Sequence, residues 1–337
     1  MSPEYDALLL VSFGGPEGPD DVLPFLENVV RGRNVPPDRL AEVAQRYLAR
    51  AGVSPINEAN RRLRDALARR LDLPVYWGNR NWHPYLDDVV QDMRDRGIRR
   101  ALAYVTSLFA SYSSCRQYLD NIAEARAAVG VGAPALHRLR HGFDHPGLIA
   151  AFTDTTTAAI ESLPEGVRRE ARLLFTAHSI PVAMADVAGP GGGLYVAQLT
   201  ASAALVAGAL AQRTGVRREH EVVFQSRSGQ PDDPWLAPDL LERIDAVSES
   251  AVVVVPLGFT ADHMEVVYDI DVEAADRAAR RGLAFARAVT PGTHPAYVDM
   301  IVELVRERTE PGIPRRALSA LGPSYDDCPA RCCLGDR

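Results

Sequence analysis

His178 closes the stretch Leu173-Leu174-Phe175-Thr176-Ala177-His178-Ser179-Ile180-Pro181, an apolar run stopped by a proline. An imidazole at such a place can bind a metal or move a proton near neutral pH. Glu265 lies 87 residues further on, in Leu257-Gly258-Phe259-Thr260-Ala261-Asp262-His263-Met264-Glu265. An imidazole and a carboxylate suit a divalent first-row metal or a pair of proton-transfer groups. Glu265, Asp269 and Glu273 recur every four residues, on one stripe of a helix. Stacked carboxylates repel by about 0.2–0.5 kcal/mol per pair on a bare helix, and a cation path along the stripe would remove that cost. Asp271 and Asp276 fall elsewhere and are expected in solvent. The plainer alternatives are a hydrogen-bonded loop histidine and an acid that merely complements a helix N-terminus. The stripe beside His178 favours the metal route.

Four cysteines occur: Cys115, then Cys328, Cys332 and Cys333. In a reducing compartment structural disulfides are unexpected, and three thiols within six residues suggest metal or cluster ligation. Two loops add aromatic and hydroxyl groups: Gly52-Val53-Ser54-Pro55-Ile56-Asn57-Glu58, and the span from Ser107 to Tyr118. With Phe13, Trp235, Arg31, Arg33 and Arg46 they describe a site for a large planar ligand bearing carboxylates; each loop could also be a capped turn. The loop Phe13-Gly14-Gly15-Pro16 lacks the order of a dinucleotide or P-loop motif. Its glycines would let a flat ligand approach the backbone.

These residues need strands to position them. The pattern predicts strands ending near Ser12, Gly78 and Ser107, and a second set ending near Ala177, Ser226 and Pro256. The offsets are 165, 148 and 149 residues. Helical spacing fills the intervals, and Met264 to Ala279 reads as one helix. Val131 to Pro146 reads as a turn-rich crossover. Alternation of this kind implies an α/β fold: two similar Rossmann-like domains, each a parallel sheet flanked by helices, facing across a cleft. The expected division is 1–165, 166–293, and a final helix with a Cys-bearing tail at 294–337, packing back on the first domain. Ligand sites in such folds lie outside the carboxyl ends of the strands, so His178 and Glu265 can meet.

The 337 residues carry a net charge of −7, with 47% hydrophobic and 24% charged residues, as in an ordinary globular chain. The acidic balance argues against a nucleic-acid partner. The first apolar run, Ala7 to Val11, is too short for a signal peptide, and no uninterrupted run approaches the ~20 residues of a membrane span. The expectation is a cytoplasmic protein without an integral membrane segment.

The chain resembles the ferrochelatases, which insert Fe²⁺ into a porphyrin in haem synthesis. The likeness runs almost end to end. It rests on Leu9-Leu10-Val11-Ser12-Phe13-Gly14-Gly15-Pro16, Gly52-Val53-Ser54-Pro55-Ile56-Asn57 and Thr176-Ala177-His178-Ser179-Ile180-Pro181. It continues in Phe224-Gln225-Ser226-Arg227, Asp233-Pro234-Trp235-Leu236, Pro256-Leu257-Gly258-Phe259 and Asp262-His263-Met264-Glu265. The resemblance implies that His178 and Glu265 are the catalytic and iron-handling pair, and that Asp269 and Glu273 continue a metal or proton path. It implies that Ser54 and Tyr118 contact the macrocycle. Phe13 stands where some relatives carry an iron-ligating tyrosine, and phenylalanine has no donor atom. Cys115, Cys328, Cys332 and Cys333 resemble the actinobacterial branch, which implies a [2Fe–2S] cofactor, although adjacent ligands at Cys332 and Cys333 are unusual.

That branch also implies coproporphyrin III as the porphyrin and transient contact with the next haem-pathway enzyme. Competing readings are a protoporphyrin IX ferrochelatase, a chelatase for another tetrapyrrole, and a two-domain binding protein for a metal complex.

Overall fold

The computed structural model describes residues 5–32, 35–228, 233–329 and 332–334. The first half is built on strands β1 (Ala7–Ser12), β2 (Val75–Asn79), β3 (Arg100–Val105) and β4 (Ala135–Arg138). Around them lie helices α1 (Val22–Val29), α2 (Pro37–Leu48), α3 (Ile56–Ala68), α4 (Leu86–Asp95) and α5 (Gln117–Val129). Helix α6 (Pro146–Ser162) leads to β5 (Arg172–His178), α7 (Val182–Asp186), α8 (Leu194–Thr214), β6 (His220–Gln225), α9 (Leu240–Ala246) and β7 (Ala251–Val255). Then come α10 (Met264–Tyr268), a π-helical turn at Asp269–Ala274, α11 (Ala275–Arg280), β8 (Ala284–Arg287) and α12 (Pro295–Thr309).

Both sheets are parallel, ordered β2-β1-β3-β4 and β6-β5-β7-β8. The predicted duplication is therefore present in strand order. β1 and β7 are buried along their whole lengths, which explains their unbroken apolar sequences: helices cover both faces of a parallel sheet. Two strands went unpredicted. β4 falls inside the expected turn-rich crossover, and β8 in a stretch given no element; each is the outer fourth strand and mostly half-buried, so neither carries a long apolar run. Helix α6 packs on α8, α12, β7 and β8. The expected single helix from Met264 is instead split by the π-helical turn.

In each sheet the strand order reverses between two central neighbours, β1 and β3 or β5 and β7, and such switch points open ligand crevices. Glycine makes the second crevice compact. A Cβ on Gly258, in the loop after β7, would sit 2.6 Å from Ala177 Cβ, so only glycine lets that loop lie against the end of β5. Gly14, at φ +84, does the same beside Asn79.

The main core runs through both halves, from Leu8, Leu10 and Leu102 to Leu173, Phe175 and Val253. Tyr104 and Tyr297 share a buried hydroxyl contact of 2.8 Å. The Thr260 hydroxyl donates to the Thr106 carbonyl at 3.0 Å. Helix α8 is long and apolar enough to cross a membrane, but its Tyr195, Leu199, Ala203, Val206 and Leu210 are buried, as in a core helix. After α12 the chain returns along β4: Arg138 donates to the Tyr325 and Asp326 carbonyls.

Candidate active site

His178 is the last residue of β5. Its Nδ1 lies against the Ser179 carbonyl, which assigns a proton to that nitrogen and turns Nε2 towards the cleft. The Tyr195 hydroxyl donates to the His178 carbonyl at 2.8 Å, fixing the backbone beneath the ring. Glu265 stands in the first turn of α10. Its Oε2 is 3.6 Å from His178 Nε2 and 3.9 Å from His263 Nδ1. The two sequence-predicted residues do meet, and a second imidazole, which sequence reasoning left unassigned, completes the group.

The electrostatics couple these groups. Burial lowers the His178 pKa, but the Glu265 carboxylate and the Ser179 carbonyl outweigh it, and the net value lies above the ordinary 6.5. Burial likewise raises Glu265, and the facing His178 and His263 rings, with Arg46, bring it down to about 2. His263 is lowered, by burial first and then by the His178 charge, against the pull of Glu265. Such an arrangement can hold a divalent cation between Nε2 and a carboxylate, or pass a proton between them.

Behind it the stripe continues inward. Asp269 is 7% exposed and accepts from Ser226 Oγ and from Gln225 Nε2, the latter at 3.3 Å. Thr176 Oγ1 donates to Gln225 Oε1 at 2.9 Å, so the amide nitrogen must turn towards Asp269. Ser226 holds this place with a positive φ of 61, a strained conformation for a residue with a side chain. Burial, then Glu265 and Glu273, raise Asp269 to about 6 against the opposing Ser226 hydroxyl and Arg46. A carboxyl poised there can take and release protons near neutral pH. Arg46, expected to meet a ligand carboxylate, instead lies 3.2 Å from Glu42, 3.8 Å from Asp269 and 3.9 Å from Glu273, over the Tyr268 ring. Asp271 is exposed, as the sequence suggested, and Arg287 also holds it at 2.6 Å.

The other predicted contacts are spread around the first crevice. Phe13 is half-buried and packs edge-on against Phe25. Tyr118 is 5% exposed and Ser54 4% exposed; the Ser54 N–H donates to the Pro16 carbonyl. The guanidinium of Arg80 lies 5.7 Å from the Phe13 ring centroid and 5.3 Å from that of Tyr118. Sequence reasoning missed Arg80, and its only signal was the aromatic run that follows it. Trp235 bridges to Pro181, just beyond His178. Arg31 is exposed and bonds Asn28, while Arg33 lies outside the described residues. From the second half, Met264 and Tyr268 enter an aromatic cluster with Phe25, Tyr47 and Trp82 of the first, joining the two crevices.

A family model described as ferrochelatase matches residues 5–309. The chain belongs to the ferrochelatase family. It is 53% identical over 98% of its length to the coproporphyrin III ferrochelatase of Frankia alni, covering 87% of that protein. It is 51% identical to the one of Nocardia farcinica, with 98% and 97% covered, and 50% identical to the ferrochelatase of Rhodopirellula baltica, with 98% and 94% covered. Among solved structures, the sirohydrochlorin chelatase SirB of Bacillus subtilis, determined with cobalt, aligns at a TM-score of 0.53 over 92% of the chain and 97% of its own. At 14% identity that likeness concerns the two-domain fold alone.

This ferrochelatase brings Cys115 together with the three cysteines near its C-terminus. Cys115 lies in a π-helical turn, Tyr112–Arg116, just ahead of α5. Cys332 Sγ lies 3.7 Å from Cys333 Sγ, and Cys115, Cys328, Cys332 and Cys333 lie near enough to perturb one another's protonation. Arg138 Nη2 donates to Cys328 Sγ at 3.2 Å and the Gly189 N–H to Cys333 Sγ at 3.1 Å. The Cys115 contact first, then burial, push the Cys328 thiol far up, and burial holds Cys332 at about 11. Among the described residues no group of three or more His, Cys, Asp or Glu side chains is arranged to hold a metal ion.

Proposed function

We propose that this ferrochelatase inserts Fe²⁺ into coproporphyrin III, with His178 and Glu265 as its working pair. The observation that carries the chemistry is the 3.6 Å approach of His178 Nε2 to Glu265 at the switch point of the second sheet. The choice of porphyrin is supported by the names of the Frankia and Nocardia relatives. Insertion exchanges one Fe²⁺ for two pyrrole N–H protons, so the site must deliver a cation and remove protons. In this reading the neutral Nε2 of His178 receives the metal or a first proton, Glu265 shares the charge, and Asp269 and Glu273 pass protons outward. Arg80, between Phe13 and Tyr118, offers its cation to the porphyrin wall.

Steady-state rates with the two porphyrins test the substrate. The specificity constant for coproporphyrin III should exceed that for protoporphyrin IX by about tenfold or more, ~1.4 kcal/mol. The reverse order would assign the enzyme to protoporphyrin IX, a reading the Rhodopirellula relative, named only as a ferrochelatase, also suits.

We further propose that Cys115, Cys328, Cys332 and Cys333 hold a [2Fe–2S] cluster, in a cytoplasmic protein whose four cysteines are free thiols. The gathering of the four thiols in one place, with Cys332 and Cys333 in contact, supports this. Tetrahedral thiolates ~2.3 Å from one ion sit ~3.8 Å apart, close to the Cys332–Cys333 separation of 3.7 Å. A binuclear cluster divides four thiolates between two irons, so no single ion need be ringed by three of them. Donors from Arg138 and Gly189 suit ionised sulfur better than thiols. The cluster would supply a one-electron redox centre held by residues other than those of the insertion chemistry. Protein purified without air should show visible absorption that Cys328→Ser abolishes; a colourless wild-type protein would rule the cluster out. Contact with the next enzyme of the pathway remains part of this proposal.

A further inference from the structure

Helix α10 is five residues long, too short to hold its own conformation, and it runs into a π-helical turn, a wide geometry that needs external support. Yet Glu265 and Asp269, at its two ends, must keep fixed distances to His178. What fixes them is found outside the cleft. Arg287 is the last residue of β8 and pairs in register with Val254 of β7, so its backbone is part of the sheet. Its side chain is only 14% exposed. Nη1 and Nη2 each lie 3.0 Å from an oxygen of Asp262. Nε and Nη2 lie 2.6 and 3.2 Å from the two oxygens of Asp271. The Thr290 hydroxyl adds a third bond to Asp262 at 2.9 Å.

Asp262 precedes His263 and stands three residues before Glu265; Asp271 stands two residues after Asp269. One guanidinium therefore ties the sheet to both flanks of the segment that carries the acids. We propose that Arg287 is a positioning residue of the insertion site, its double bidentate grip on Asp262 and Asp271 setting the distance at which Glu265 and Asp269 face His178. This rests on the reading of Glu265 as a metal-site residue. Lysine cannot replace it. An ammonium is a point charge and cannot grip two carboxylates side by side.

The plain alternative is that Arg287 only neutralises two acids, and the test separates the two. Fe²⁺ insertion is measured without air for wild type, Arg287→Lys, Arg287→Met and the triple variant Asp262→Asn/Asp271→Asn/Arg287→Met. Melting temperature and porphyrin affinity, by fluorescence quenching, are read alongside. A positioning role gives Arg287→Lys wild-type porphyrin affinity and a metal KM raised about 10- to 100-fold, the range for residues that orient metal-site groups. The triple variant, having no unpaired acids, recovers thermal stability without recovering metal KM. The proposal is overturned if the triple variant regains the wild-type metal KM. It is also overturned if Arg287→Lys leaves metal KM unchanged, or weakens metal and porphyrin binding in parallel with stability. Should Arg287→Met not fold, Arg287→Lys and the triple variant still decide. Glu265→Gln serves as the control: an unchanged metal KM there would remove the reading of Glu265 itself, independently of Arg287.

Discussion

Replacing His178 with alanine should lower kcat/KM for iron insertion by about 10²- to 10⁴-fold, the range for losing a positioned proton-transfer group, while porphyrin affinity changes little. The ring is held by its Nδ1 contact to Ser179 and presents Nε2 to Glu265 at 3.6 Å. The pH dependence follows from the same pair. Only neutral imidazole offers a lone pair, so wild-type kcat/KM should climb with pH through the His178 pKa, which lies above 6.5. That limb should vanish in the alanine variant. Stability runs the other way. The His178 contribution is complete below 6.5 and is lost as pH rises through its raised folded value. The Glu265 contribution is present above its ordinary 4.5 and is lost as pH falls towards about 2. The ion pair is thus firmest between these limits, and activity begins where it loosens. Full activity in His178→Ala, or a pH profile unchanged by it, would defeat the assignment.

Glu307→Gln should destabilise the protein by about 3–5 kcal/mol, the cost of leaving a buried charge without its partner. Arg140 and Glu307 have side chains 0% and 4% exposed and meet in a bidentate pair at 2.7 and 2.8 Å. The same guanidinium donates to the Arg316 carbonyl, and the Arg140 N–H donates to Asp326. Losing the carboxylate therefore loosens the returning chain, and the thiol of Cys328 with it. The double variant Arg140→Met/Glu307→Leu should cost much less, because nothing charged is left behind. Chemical denaturation of the three proteins checks the order; equal losses in the single and double variants would show that shape, not charge, holds the tail.

Much of this was legible in the sequence because parallel sheets write plainly: β1 and β7 are almost wholly apolar, β5 is apolar through Leu173-Leu174-Phe175, and each delivers a loop with chemistry in it. β4 and β8 were not legible. Ala135-Leu136-His137-Arg138 and Ala284-Phe285-Ala286-Arg287 are outer strands with half-exposed residues, and nothing in such composition separates a strand from a loop. At the site, His178, Glu265 and the acidic stripe could be read from type and spacing. Arg80 and Arg287 could not, since an arginine's meaning depends on which rings and carboxylates surround it. The pairing of the exposed Asp271 went unread for the same reason: its partner lies 16 residues away, on a strand the pattern did not reveal. The acidic neighbours of Arg46 beyond Glu42, namely Asp269 and Glu273, come from the other half of the chain and could not be read beside it.

The continuous core through both sheets has a mechanical consequence. Proteins that trap ligands between lobes usually swing on a hinge, and a hinge needs a seam across which few contacts run. Here Leu10 and Val253 belong to one apolar body, the Tyr104–Tyr297 contact crosses it, and close-packed interiors resist being parted. The crevice is accordingly a mould, not a jaw.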